Sequence, residues 1–146
     1  MNLYKVKRYE SALANVRKEL DHMATVPVYF AQAEKTGEVK IGFSTQVYNR
    51  IYLLSHHRFQ TVNLLGWVLG GPKVEREMHE RFAEFALGGE WFVPGATLLE
   101  FIDTSTRHDE APHVASPYGR ITDWGYDNLV GDEQLYLDFI AEAKAA

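Results

Sequence analysis

Tyr29, Lys40, Arg50 and Glu75, in the middle of the chain, are residue types that phosphodiester hydrolysis requires. The reaction needs a base for the attacking water, positive charge on the phosphate and, in most enzymes, a divalent metal at the leaving oxygen. Tyrosine alone is a poor base, because its ordinary pKa is about 10. A neighbouring cation favours the tyrosinate and lowers that value. Lys40 falls on the same strand face as Tyr29 by period-two counting, so it is expected to supply the cation. Taken singly, each residue has a plainer reading: a surface aromatic, an edge lysine, a solvated helix arginine, and a first-turn acid favoured by the helix dipole. Their order and spacing together carry the chemical expectation.

The elements that must position them follow from hydrophobic periodicity. Val26 to Ala33 and Glu38 to Phe43 alternate as strands, and Gly37 supplies the positive φ of the hairpin between them. Val26, Val28 and Phe30 share one face, as do Val39, Ile41 and Phe43; Tyr29 and Lys40 take the other. Ser44 and Thr45 are N-cap candidates for a helix running to about Leu54, with Val47, Ile51 and Leu54 inward. Ser55-His56-His57-Arg58 then reads as a polar link. Thr61 to Leu69 is a third strand, apolar on both faces and so expected to be buried. Pro72 opens a helix to about Ala86, with Val74, Met78, Phe82 and Phe85 inward and Gly88-Gly89 as its stop. Glu90 to Pro94 returns extended, and Trp91 and Phe92 are expected to close the core rather than stack on bases. Thr97 to Ile102 is a short helical stretch.

The ends are less patterned. Tyr9, Leu13, Val16, Leu20 and Met23 form an apolar helical stripe, expected to pack on the main domain, with a homodimer through this helix as the alternative. Asp103 to Asn128 reads as a loop whose Tyr118, Trp124 and Tyr126 pack on something. Asp132 is the expected cap of a last helix bearing Leu135, Tyr136, Phe139, Ile140 and Ala143.

The ordered set Val28-Tyr29-Phe30, Lys40-Ile41-Gly42, Arg50 and Glu75 resembles the GIY-YIG nuclease superfamily. It is most similar to a phage and bacterial branch in which the second motif reads KIG, and an E-x-x-x-H helix precedes a GEWF segment. Here those are Glu75 with His79, and Gly89-Glu90-Trp91-Phe92. The resemblance implies an α/β (α+β) fold, a small three-stranded antiparallel sheet flanked by helices. It implies Tyr29 as base, Arg50 on the phosphate, Lys40 in a tyrosine position, Gly42 as the signature glycine, and Glu75 as protein ligand of Mg²⁺ or Mn²⁺. His79, one turn after Glu75, is a further catalytic candidate, and Glu90 a second acid. Leu54 stands where many members carry histidine; His56 and His57 just beyond are candidates, with Lys40 and Arg50, for phosphate or DNA contact. The asparagine that follows the glutamate in many members is not evident, and the first motif has Val28 in place of glycine.

The expected organisation is therefore a helical extension over residues 1–26, a GIY-YIG-like domain over 27–94 and an acidic extension with a terminal helix over 95–146. Net charge is −5 overall, distributed as +2, 0 and −7 over those three segments. The acidity thus belongs to the tail, which is a candidate for contact with a protein partner. The neutral middle, with three histidines, is compatible with DNA, and RNA remains open. The chain lacks cysteine, which excludes thiolate metal sites and disulfides and suits a cytoplasmic setting. It has no apolar run of membrane-spanning length. The expectation is a metal-dependent nuclease acting on DNA, with a catalytically inactive nucleic-acid- or protein-binding module on the same scaffold as the alternative.

Overall fold

The first strand is apolar on both faces, with Val28 and Phe30 on one and Tyr29 and Ala31 on the other, and this decides the layers. The computed structural model describes residues 1–146. Contacts divide the chain into two compact units, residues 24–115 and residues 1–23 with 116–146.

In the first unit, β1 (Pro27–Ala33) and β2 (Val39–Phe43) form the expected antiparallel hairpin. Gly37 turns it with φ +76°, donating its N–H to the Ala33 carbonyl at 2.9 Å. The chain then forms α2 (Val47–Arg58), β3 (Val62–Leu69), α3 (Gly71–Arg81), a short 3₁₀ turn (Ala83–Phe85), β4 (Ala86–Gly88), β5 (Trp91–Phe92) and α4 (Ala96–Ser105). The sheet has five strands in the order β3-β1-β2-β5-β4, not three. The two extra strands are very short: Gly88 and Gly89 do not merely stop a helix but turn a hairpin, so α3 ends well before Ala86.

Both faces of the sheet are covered. Val28, Phe30, Val39, Ile41 and Phe92 pack with Phe82 beyond α3 and with Leu98 and Ile102 of α4. On the other face Tyr29, Ala31, Trp67 and Trp91 pack with Val47, Ile51 and Leu54 of α2. Trp91 and Phe92 are thus core residues, one on each face. β3, expected to be buried, is instead an edge strand: only Val62, Gly66 and Trp67 are buried, and Asn63 and Leu69 face solvent.

Two local expectations are corrected. Ser44 and Thr45 do not cap α2: Gln46 is its N-cap without a side-chain bond, and the Ser44 hydroxyl accepts from the Gln46 N–H at 3.0 Å. His56, His57 and Arg58 are the last turn of α2 rather than a link. The Arg58 cation sits favourably at the negative end of the helix dipole, and Ser55 Oγ binds inward to the Ile51 carbonyl at 3.1 Å. After α4 the chain crosses the outer edge of β3. Arg107 bridges Trp67 in antiparallel fashion, Trp67 Nε1 donates to the Asp109 carbonyl at 2.9 Å, and His108 Nδ1 meets the Leu65 carbonyl at 2.8 Å.

The second unit pairs α1 (Leu3–Met23) with α5 (Asp123–Ala145). The α1 stripe of Leu13, Val16 and Met23 is buried, as are Ile140 and Ala143 of α5, and Tyr9 packs on Phe139 with ring centroids 5.1 Å apart. Arg17 binds Glu133 at 3.2 Å. The last helix begins at Asp123, capped by Thr122, whose hydroxyl accepts from the Gly125 N–H at 3.0 Å; Asp132 is interior. Gly125 and Gly131 weaken a helix by about 1 kcal/mol each, and pairing with α1 outweighs that. Trp124, expected to pack, is 78% exposed. No helix of the chain is long and apolar enough to cross a membrane.

Candidate active site

The signature residues gather where β2 leaves its neighbour β5. The two strands pair only at Val39 with Phe92 and Lys40 with Trp91. One more bond, from the Ile41 N–H to the Glu90 carbonyl at 3.1 Å, ends the ladder. Beyond it the Ile41 carbonyl has no strand partner, and His79 Nε2 approaches it at 2.9 Å. A carbonyl oxygen only accepts, so this contact requires the Nε2–H tautomer. The same nitrogen lies 3.9 Å from Glu75 Oε1, one turn earlier on α3, and the ring stands edge-on to Phe92 at 5.1 Å. Glu75 is only 5% exposed.

Tyr29 reaches this edge from the other face of the sheet. It is 1% exposed, and its register partner on β2 is Gly42. A Cβ at residue 42 would stand 2.5 Å from the Tyr29 hydroxyl oxygen and 2.8 Å from Cζ, so the ring lies directly over the glycine. Glycine is required at residue 42 for space, not for an unusual φ.

Arg50 of α2 hydrogen-bonds the Tyr29 side chain. Even so, the Tyr29 hydroxyl is pushed up to about 12. Burial is the largest cause; the Arg50 bond and charge pull the other way, and Glu90 and Glu75 add to the rise. This reverses the expectation of a lowered value. The cation at the hydroxyl is Arg50, not Lys40, because the register sets Lys40 opposite Ala31, two residues along β1 from Tyr29. Lys40 shares the Tyr29 face as period two requires, but its Nζ is bound to Glu90 Oε2 at 2.8 Å and to the Gly89 carbonyl at 3.0 Å.

Glu90 is one of only two non-glycine residues with positive φ, at +69°. The tight Gly88-Gly89-Glu90 turn holds its carboxylate within 4.8 Å of that of Glu75. Backbone strain of this kind is commonly stored at functional sites. Two hard carboxylate oxygens, with no sulfur donor nearby, match the donor preference of Mg²⁺ or Mn²⁺. Both ligands of one octahedral ion lie roughly 3–4 Å apart at the usual metal–oxygen distance, which this separation admits with small side-chain movement.

The arrangement thus brings together Tyr29, Arg50, Gly42, Glu75 and His79, with Lys40 attached through Glu90. His56 and His57 stay outside, exposed on the last turn of α2, where His56 stands edge-on to Tyr52 at 4.5 Å. Leu54 is core against Trp91 and Ile51. Sequence reasoning missed Arg58, whose guanidinium sits 3.9 Å from the Trp91 ring centre and 3.1 Å from Glu38. Reading residues 55–58 as a loop concealed it. The positive φ of Glu90 had one sequence signal, the two glycines before it.

These features define an α+β domain with carboxylate, phenol and guanidinium side chains converging at the open part of a sheet edge. The T5orf172 domain profile matches residues 26–106, more than half of the chain, and the protein belongs to that family. The domain occurs in phage and bacterial endonuclease-like proteins and is related to GIY-YIG-like nucleases. Neither the curated proteins nor the solved structures gave a match.

Proposed function

We propose that this domain hydrolyses phosphodiester bonds of DNA with a divalent metal, in the manner of the GIY-YIG nucleases. The observation that carries the reading is the convergence of Arg50 with the Tyr29 hydroxyl at the edge where Glu75 and Glu90 present their carboxylates. Glu75, with Glu90 beside it, would hold Mg²⁺ or Mn²⁺, which when bound supplies positive charge to the departing oxygen.

The side chains divide the remaining work. Arg50 binds a non-bridging phosphate oxygen and orients the phosphorus. Tyr29 accepts the proton of the attacking water as the new P–O bond forms and the bond to the departing sugar oxygen breaks. Its hydroxyl is protonated at neutral pH, since burial pushes it up to about 12, so the reactive tyrosinate is a minority form and the rate should climb with pH. Charge neutralisation at Glu75 and Glu90 removes two of the causes that raise it. His79, fixed by the Ile41 carbonyl, lines the site 3.9 Å from the Glu75 carboxylate. Lys40 holds Glu90 in the turn.

The test is cleavage of labelled DNA with Mg²⁺ or Mn²⁺ by wild type, Glu75→Gln and Tyr29→Phe, with calorimetric Mn²⁺ titration of each. Metal-dependent cutting by wild type, lost in both variants, with Mn²⁺ binding lost only in Glu75→Gln, supports the reading. Binding of DNA without cleavage under any metal would favour the non-catalytic module. The mutual neutralisation of Lys40 and Glu90 is the feature that speaks for that second reading, since it withdraws Lys40 from the phosphate.

A further inference from the structure

The outer side of α2 is left unused by the reaction described above. The inner side is the buried stripe of Val47, Ile51 and Leu54. Outside, Tyr52 and His56 follow each other at one-turn spacing, and their rings touch edge-on at 4.5 Å. Tyr52 is 62% exposed. At the end of the helix stands Phe59, 91% exposed, with φ +54°.

Phe59 is costly to the fold in two ways. Left-handed backbone at a helix C-terminus is the usual place of glycine, and a side chain there is strained. Its N–H bonds to the His56 carbonyl at 3.3 Å, and the Gln60 N–H to the Ser55 carbonyl at 3.3 Å, so the helix end holds the conformation. Its ring is not repaid by burial. A strained, solvent-facing aromatic three residues beyond His56 is what a stacking surface needs. The charge on this helix points to the same partner. α2 carries no acid, within a chain that has five more acids than Lys and Arg combined, and Arg58, paired with Glu38 yet a third exposed, stands at the same helix end as His56 and Phe59.

We propose that Tyr52, His56 and Phe59 form a stacking surface for the unpaired bases of a single-stranded nucleic acid, whose phosphates run along the acid-free face of the same helix. Exposed rings gain from single strands because unpaired bases offer free π-faces, whereas duplex bases are already stacked on one another. The proposal deepens the nuclease reading and rests on it for its biological sense, because it names the form of nucleic acid delivered to the helix that bears Arg50.

The experiment is fluorescence anisotropy of a labelled pyrimidine strand, as DNA and as RNA, beside a duplex of the same sequence. It is run with chelator present so that cleavage does not intrude. Wild type, Tyr52→Leu and Phe59→Gly are compared. Wild type should bind the strand more tightly than the duplex, and each substitution should weaken strand binding by about tenfold while leaving the duplex little changed. Phe59→Gly also relieves the left-handed strain, so it should melt at a higher temperature while binding less, which separates lost stacking from lost folding. The ratio of DNA to RNA affinity decides between the two strands. Equal strand binding by all three proteins, or a duplex preference that falls in parallel, overturns the proposal. Glu75-dependent cleavage of duplex with unaltered strand binding would sink this surface and spare the nuclease. Ring-dependent strand binding with no metal-dependent cleavage would do the reverse.

Discussion

Replacing Gly42 by alanine perturbs the site through a single methyl group. The new Cβ would stand 2.5 Å from the Tyr29 hydroxyl oxygen, 2.8 Å from Cζ and 2.9 Å from Cε2. Ordinary contact between such atoms is about 3.5 Å or more, so the ring end must retreat by nearly an ångström. It has little room, because Tyr29 is fully packed among Ala31, Trp67 and the α2 stripe and is bonded to Arg50. Overpacking of this kind costs about 1–3 kcal/mol. At the usual scaling that lowers the melting temperature of a domain this size by roughly 5–15 °C. An ångström of misplacement at the reacting hydroxyl should reduce kcat/KM on DNA by about a hundredfold. The decisive assay is a double-mutant cycle by chemical denaturation with Tyr29→Ala, which removes the ring. In that background Gly42→Ala should cost almost nothing, giving a coupling well above 0.5 kcal/mol. Strict additivity, or a Gly42→Ala protein as stable and active as wild type, would refute the reasoning.

Two further outcomes follow from the same site. The Tyr29 hydroxyl sits at about 12 in the fold against about 10 unfolded, so the unfolded chain loses this proton first. The neutral hydroxyl therefore contributes fully below pH 10, and stability falls as pH climbs from about 10 to about 12, by up to roughly 3 kcal/mol. Metal-free Tyr29→Phe should lack that part of the alkaline loss, measured as the difference between the two denaturation curves across this range; identical slopes would contradict it. Lys40→Met should cost about 1–2 kcal/mol, since it strips the Gly89 carbonyl and the half-exposed Glu90 carboxylate of their cation. Glu90→Gln in the Lys40→Met background should recover part of the loss in thermal unfolding, and no recovery would place the cost elsewhere.

Period two made the two faces of the hairpin readable from Val28, Phe30 and Tyr29, and the 3.6-residue repeat did the same for the α2 stripe. The register between β1 and β2 was not readable that way. It sets Lys40 opposite Ala31 and so gives the Tyr29 hydroxyl to Arg50. Burial, which raises Tyr29 rather than lowering it, depends on helices from elsewhere in the chain and leaves no mark near residue 29. The strands β4 and β5 were illegible because three and two residues carry no period. Gly125 hid the start of α5 because propensity is local and the pairing with α1 is not.

The segment after α4 has a consequence for the fate of the domain when cut. β3 is eight residues long and lies at the end of the sheet, and residues 106–109 cover part of its outer rim. The family match ends at residue 106, just where that cover begins. A fragment trimmed to the matched residues would keep the sheet but bare an apolar strand with free N–H and C=O groups, which recruits further strands. Such a fragment should polymerise on concentration, while one extended to Ala115 should remain dispersed: a few residues of irregular chain keep the sheet finite.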